Sequence, residues 1–139
     1  MSSEAKFEST RRRLTEQQAE TVDKLTTAAV AVLREHGFSG LTVRLVAAEA
    51  GVAAATAYTY FSSKSHLVAE VFWRRLNEVP REVPDHLDPV ARVCQVLRDV
   101  ALLVSDEPAL AAASTTAILG DDPDVEHLRL RIGMDIRAG

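Results

Sequence analysis

Residues 41–61 read LTVRLVAAEAGVAAATAYTYF, and this stretch decides the fold. Thr42 is a good N-cap, and a short helix is expected from it to about Ala50. Gly51 breaks that helix, and a second short one is expected over about 53–60. Leu41, Val46, Ala47, Ala50, Val52, Ala57 and Phe61 can form one apolar cluster that fixes the angle between the two. Ala57 and Phe61 stand four apart and so share the inner face of the second helix. Two short helices divided by a glycine-containing turn, after a longer helix, make a helix-turn-helix pattern over 42–61.

The longer helix precedes it. Thr15 with Gln18 three residues on is a capping-box pattern. Ala19, Val22, Leu25, Ala29, Val32 and Leu33 then recur at intervals of three and four, as one apolar stripe requires. Gly37 after His36 fits a left-handed C-terminal cap, which puts this helix at about 16–36. Downstream, Ser62 or Ser63 caps a helix of about 64–78, with Leu67, Val71, Phe72, Trp73 and Leu76 as packing residues. The polar, proline-bearing segment 79–87 reads as a linker. Asp88-Pro89, Glu107-Pro108 and Asp122-Pro123 each supply a start signal, since proline suits the first helical position. The helix after Asp88 carries Val90, Val93, Cys94, Leu97, Val100, Ala101 and Val104 as a stripe. The one ending near Gly120 is alanine-rich, and the last bears Val125, Leu128, Ile132 and Ile136. Every element reads helical, so the fold class is all-α.

Composition agrees. Hydrophobic residues make 47% of the 139 and aromatics only 5%, which favours packed helices over a sheet. The single cysteine, Cys94, excludes an internal disulfide and is expected to be a small core residue. No apolar run approaches the ~18–20 residues that cross a bilayer, and the N-terminus lacks a signal-peptide pattern, so a cytoplasmic protein without membrane attachment is expected. The net charge of −4 is unevenly spread: residues 1–77 carry ten Lys/Arg against eight Asp/Glu, leaving −6 for the rest. A mildly basic head on an acidic body is compatible with nucleic acid. His36, His66, His86 and His127 lie scattered, without metal spacing or a nucleophile–base pattern, and there is no glycine-rich phosphate loop. An enzyme is therefore not expected, nor a cofactor or bound metal.

From Ala31 to Phe72 the chain reads AVLREHGFSGLTVRLVAAEAGVAAATAYTYFSSKSHLVAEVF. It resembles the DNA-binding head of TetR-family repressors. The matching marks are His36-Gly37-Phe38, Leu41-Thr42-Val43-Arg44, Ala50-Gly51-Val52, Thr56, Tyr58-x-Tyr60-Phe61 and Ser63-Lys64-x-x-Leu67. Beyond Asn77 only the all-helical layout is similar. The resemblance implies a flexible basic arm over 1–14, a helix-turn-helix DNA-binding domain over 15–62, and a helical regulatory domain over 63–139. That last domain would be incomplete, because the helices that pair two subunits would follow these residues. It implies a ligand-responsive repressor that binds palindromic operator DNA as a homodimer and answers to an unknown small-molecule effector.

The resemblance assigns Thr42, Thr56, Tyr60 and Lys64 to phosphate contacts, which suits hydroxyls and one ammonium. For Lys64 the plain alternative is a solvated lysine in a first helical turn, where the macrodipole disfavours it. Arg44 is the candidate base reader, since a guanidinium can bridge guanine O6 and N7; a phosphate-bound or solvated arginine is the alternative. Ala54, Ala55, Tyr58 and Thr59 form a small, charge-poor outer face, odd on a free helix but suited to the ~12 Å wide major groove. Of Tyr58 and Tyr60, two tyrosines within one turn, at least one is expected to face DNA. Arg11 to Arg13 read either as a groove-following arm or as a solvated tail.

The chain also departs from the family pattern. Ala53 stands where a small polar residue usually caps the recognition helix, Ala54 and Ala55 replace longer or polar residues and a glycine, and Leu45 a polar one. The apolar positions of the later helices, with Trp73 and Met134, are either pocket lining or core. The rival reading is a protein-interaction module that kept the fold and lost specific DNA binding.

Overall fold

A computed structural model describes residues 15–78 and 86–138; the basic arm and most of the expected linker lie outside the described residues. Among these, no strand occurs and seven helices follow in order: α1 (Glu16–Gly40), α2 (Val43–Ala50), α3 (Ala54–Tyr60), α4 (Lys64–Glu78), α5 (Pro89–Asp106), α6 (Pro108–Ile118) and α7 (Pro123–Ala138). The local signals explain these bounds. Thr15 accepts from the Gln18 amide at 3.3 Å while Gln18 accepts from the Thr15 amide at 3.0 Å, so the capping box is complete. Asp88 caps α5 by accepting from the Ala91 amide at 2.9 Å, with Pro89 in the first turn.

Among the described residues two glycines carry positive φ. Gly51 ends α2 in the left-handed region (φ 69°, ψ 29°). Its amide reaches the Ala48 carbonyl at 3.2 Å and that of Val52 reaches Ala47 at 2.9 Å, the paired bonds of a Schellman cap. Gly37 differs from the left-handed cap expected of it: at φ 67° and ψ −178° it kinks α1, and the helix resumes for one further turn to Gly40. That region of backbone space is open essentially to glycine alone. A Cβ there would meet nothing within 4 Å, so the demand is conformational and not one of space.

The core joins the head to α4 and α6. Leu25, Leu33, Leu41, Val46, Leu67 and Val68 are fully buried, and Leu110, Ala113 and Ala117 of α6 belong to the same cluster. Burial of each large aliphatic side chain contributes about 1.5–3 kcal/mol. The small residues of α6 let it lie against both α1 and α4. Ala69, Val125 and Leu128 form a second cluster between α4 and α7; the side chains of Ile132 and Ile136 lie outside the described residues.

The expectation for α5 is overturned. No residue of α5 is buried: Val90, Val93 and Leu97 are 72%, 58% and 63% exposed, and Cys94 is exposed and not a core residue. The half-buried residues are Ala91, Arg92, Gln95, Asp99, Val100 and Leu103, of which Val100 alone belongs to the expected stripe. Spacing grouped the apolar side chains, but α4 and α6 pack largely against the other face and meet the stripe at Val100 and Val104. Met134 is likewise exposed and so is not core.

Candidate nucleic-acid interface

The candidate interface is built on α2 and α3. Val46 and Ala47 of α2 and Ala57 and Phe61 of α3 and its C-cap are buried in one cluster, with Ala50 and Val52 packed against it. This clamps α3 by one face and leaves Ala55, Thr56, Tyr58 and Thr59 exposed on the other, while Ala54 is half-buried. Tyr58 is 48% exposed. Tyr60 packs against the core cluster, so the two tyrosines do part company.

Hydrogen bonds decide what each polar group has left to offer. Thr42 Oγ1 accepts from the Leu45 amide at 3.0 Å and caps α2, which leaves its hydroxyl hydrogen free to donate. Thr59 Oγ1 donates to the Ala55 carbonyl at 3.0 Å, so this hydroxyl can only accept from a partner. Arg44 and Leu45 are exposed side by side in the first turn of α2. Ala53 holds the N-cap position of α3 (φ −61°, ψ 138°) with no side-chain bond. The first amide of α3 tied back is that of Ala57, to the Ala53 carbonyl at 3.0 Å. Those of Ala54, Ala55 and Thr56 precede any helical acceptor.

Lys64 has a structural partner that the sequence does not disclose. Its Nζ donates to the Phe38 carbonyl at 3.1 Å and lies 4.5 Å from the centre of the Phe38 ring. The ammonium thus braces the last turn of α1 against the start of α4, with two donors to spare. Ser63 caps α4, accepting from the His66 amide at 3.1 Å, and its hydroxyl donates to Asp122, as that of Ser62 does to Asp124. The Ser63 hydroxyl, first among the hydrogen bonds and against the opposing effect of burial, holds the Asp122 carboxyl below its ordinary pKa of 3.8. These serine–aspartate bonds span about sixty residues of sequence, and no local pattern announces them.

Two grooves lie away from this face. One, of ≈930 Å³ between α1 and α4, is lined by Asp23, Val30, Arg34, Trp73 and Arg74 among others. Trp73 Nε1 is buried without a hydrogen-bond partner, and the Arg131 guanidinium stands 5.5 Å from the indole ring. The other, ≈490 Å³ between α4, α5 and α6, is lined by Phe72, Val104, Ala111, Thr115, Ile118 and Leu119 among others. Met134 lines neither. Among the described residues no group of three or more His, Cys, Asp or Glu is placed to hold a metal ion, and no helix is long and apolar enough to cross a membrane.

Comparison with known proteins bears on the head first. The family described as "Bacterial regulatory proteins, tetR family" matches residues 25–71, from mid-α1 to α4. A helix-turn-helix transcriptional regulator of Mycobacterium tuberculosis (strain H37Rv) is 50% identical over 121 residues, which cover 86% of this chain and 57% of that protein. The transcriptional repressor KstR of Rhodococcus jostii is 28% identical over 107 residues, 76% of this chain and 50% of its own length. A TetR transcriptional regulator from Rhodococcus sp. RHA1, solved as a crystal structure, superposes with a TM-score of 0.71 at 26% identity, over 81% of this chain and 64% of that one. The chain therefore spans about half the length of the curated relatives it matches. Relatives and fold alike are those of transcriptional regulators and not of enzymes, and the head of this chain, residues 25–71, belongs to the TetR family of bacterial regulatory proteins.

Proposed function

We propose that this chain carries the DNA-binding head and part of the sensing body of a ligand-responsive repressor, which binds a palindromic operator as a homodimer. The observation that carries the reading is α3: clamped by Ala57 and Phe61, it turns a small, uncharged face outward at Ala55, Tyr58 and Thr59. A helix so bare has little reason to be exposed unless a shaped groove receives it. On this reading Thr42, Thr56 and Tyr60 position the phosphates and Lys64 adds a charge with the donors that Phe38 leaves it. Arg44 reads a guanine edge, Thr59 accepts from a base or touches a thymine methyl, and Ala54 and Ala55 permit close approach. Two heads would meet half-sites ~34–36 Å apart. Repression is supported by the likeness to the transcriptional repressor KstR, at 28% identity. The groove between α4, α5 and α6 has the size and apolar lining of an effector seat.

Footprinting on DNA flanking the gene, with the full-length protein, tests this reading; a palindromic protected site is expected. Arg44→Ala should flatten operator preference in a competition gel shift while non-specific binding persists. Binding to duplex should weaken steeply with salt. Absence of duplex binding even at low salt would sink the proposal and favour a protein-interaction module on the same fold.

A further inference from the structure

Glu107 is an acid out of place. It stands at the N-cap position of α6, yet its carboxylate makes no cap bond to that helix. Its side chain is only 9% exposed, among the least accessible of the charged groups. Both oxygens are turned toward other helices. Arg34 of α1 grips them as a fork, Nε donating to Oε2 at 3.0 Å and Nη2 to Oε1. Arg75, in the last turn of α4, brings Nη2 to 3.8 Å from Oε1. Hydrogen bonding and then charge attraction from Glu107 raise the pKa of Arg34 still further, so the guanidinium stays charged.

Three helices thus meet at one carboxylate. Toward α1 and α4 the α6 contact is otherwise carried by apolar side chains, Leu110, Ala113 and Ala117, while Arg129 of α7 holds the far end of α6 at the Ile118 carbonyl, 2.9 Å. Such apolar contact favours burial but sets no direction, and a helix faced with alanine can slide or roll at little cost. A forked guanidinium–carboxylate pair is the reverse: strict in geometry, but weak in net stabilisation once desolvation of the acid is counted. Its value lies in register. Seams at Ser62 and Ser63 already tie the far end of α4 to Asp124 and Asp122 of the α7 start.

We propose that Glu107 is a positioning residue that locks α1 and α4 to the first turn of α6 and so fixes the angle at which the head is held on the body. Any shift of the α6 start is then passed to α1 through Arg34 and to α4 through Arg75. Head geometry fixed in this way does not depend on which operator or effector is used.

Pulsed electron-spin distance measurement tests it. One label goes on the native Cys94, exposed on α5, and one on Glu49→Cys, exposed on α2. The parent should give a single narrow distance peak. Glu107→Gln, which keeps shape and removes charge, should lose that peak to a broad distribution while the helical circular dichroism is retained. Should that variant fail to fold, Arg34→Lys decides, since Arg34 is 60% exposed and the change keeps the charge while removing the fork. The same broadening is expected. A lowered melting temperature with the narrow peak intact, well below melting, would overturn the proposal and reduce Glu107 to a stabilising contact.

Discussion

Ala53→Ser is the most informative single change in this head. The α3 helix is seven residues long and its N-cap side chain is a methyl, so the amides of Ala54, Ala55 and Thr56 have no side-chain acceptor. The backbone of Ala53 is already extended (φ −61°, ψ 138°), as an N-cap needs, so serine can be placed without rearrangement. The chain contains its own control, because Thr42 caps α2 through the Leu45 amide at 3.0 Å. Filling the cap should stabilise by about 1 kcal/mol, and Thr42→Ala should cost about the same. With a urea slope of about 2 kcal/mol per M, the midpoint should rise by roughly 0.5 M. Ala53→Asp should stabilise at least as well, since a carboxylate suits the positive end of the helix. It should nevertheless weaken duplex binding by roughly tenfold or more, because it sets a negative charge toward phosphates. Urea melts and gel shifts on the three variants check this. If Ala53→Ser gave no gain while Thr42→Ala lost stability, the uncapped-helix argument would be wrong. If Ala53→Asp bound duplex as the parent does, this end of α3 would not face the backbone.

Three further outcomes are expected. Lys64→Gln should lower the salt slope of duplex binding, log K against log salt, by about 0.9 per half-site; an unchanged slope with a lower urea midpoint would make Lys64 only a brace for Phe38. Cys94 should react with Ellman's reagent in native buffer as an accessible thiol, whereas a need for denaturant would mean that the α5 face is covered in solution. The Asp122 carboxyl, held below 3.8 by the Ser63 hydroxyl, stabilises the fold fully above the ordinary aspartate range and ceases to as pH falls through its depressed value. Asp122→Asn keeps a capable helix cap, so its urea midpoint should trail the parent at pH 7 and converge with it at strongly acid pH; an equal deficit at both would refute the charge argument.

What the sequence disclosed and what it withheld divide by distance along the chain. Thr15 with Gln18, Thr42 with Leu45, Gly51 with Ala47 and Ala48, and Asp88 with Ala91 are bonds closed within five residues. Each leaves a mark at fixed spacing, and helix bounds followed from them. Arg34 with Glu107 is separated by 73 residues and Lys64 with the Phe38 carbonyl by 26. Nothing in the spacing of an arginine or a lysine records such a partner. The α5 stripe lies between these cases. Periodicity states which side chains share a face, but which face a neighbour takes is settled by all the other helices together. Gly37 divides in the same way: its positive φ was legible from its place after His36, its extended ψ was not.

The same accounting bears on how this head would recognise DNA. Much of the polar chemistry on its outer surface is already committed within the fold. Thr59 gives its hydrogen to Ala55, Thr42 spends its acceptor on Leu45, and Lys64 is held at Phe38. Arg44 and Tyr58 remain as exposed long polar side chains on that face, beside Leu45 and the methyls of Ala54 and Ala55. On the proposed reading, a head with so few base-reading groups must draw more of its selectivity from fit: close approach along α3, groove width, and the spacing of two heads. Recognition by fit is sensitive to angle, since a small tilt of α3 alters every contact in the groove at once. A carboxylate that fixes the tilt therefore matters more here than it would in a head rich in direct contacts. If that reasoning holds, Glu107→Gln should relax operator selectivity without touching a DNA-facing residue, while Arg44→Ala in the same background should add less than it does alone.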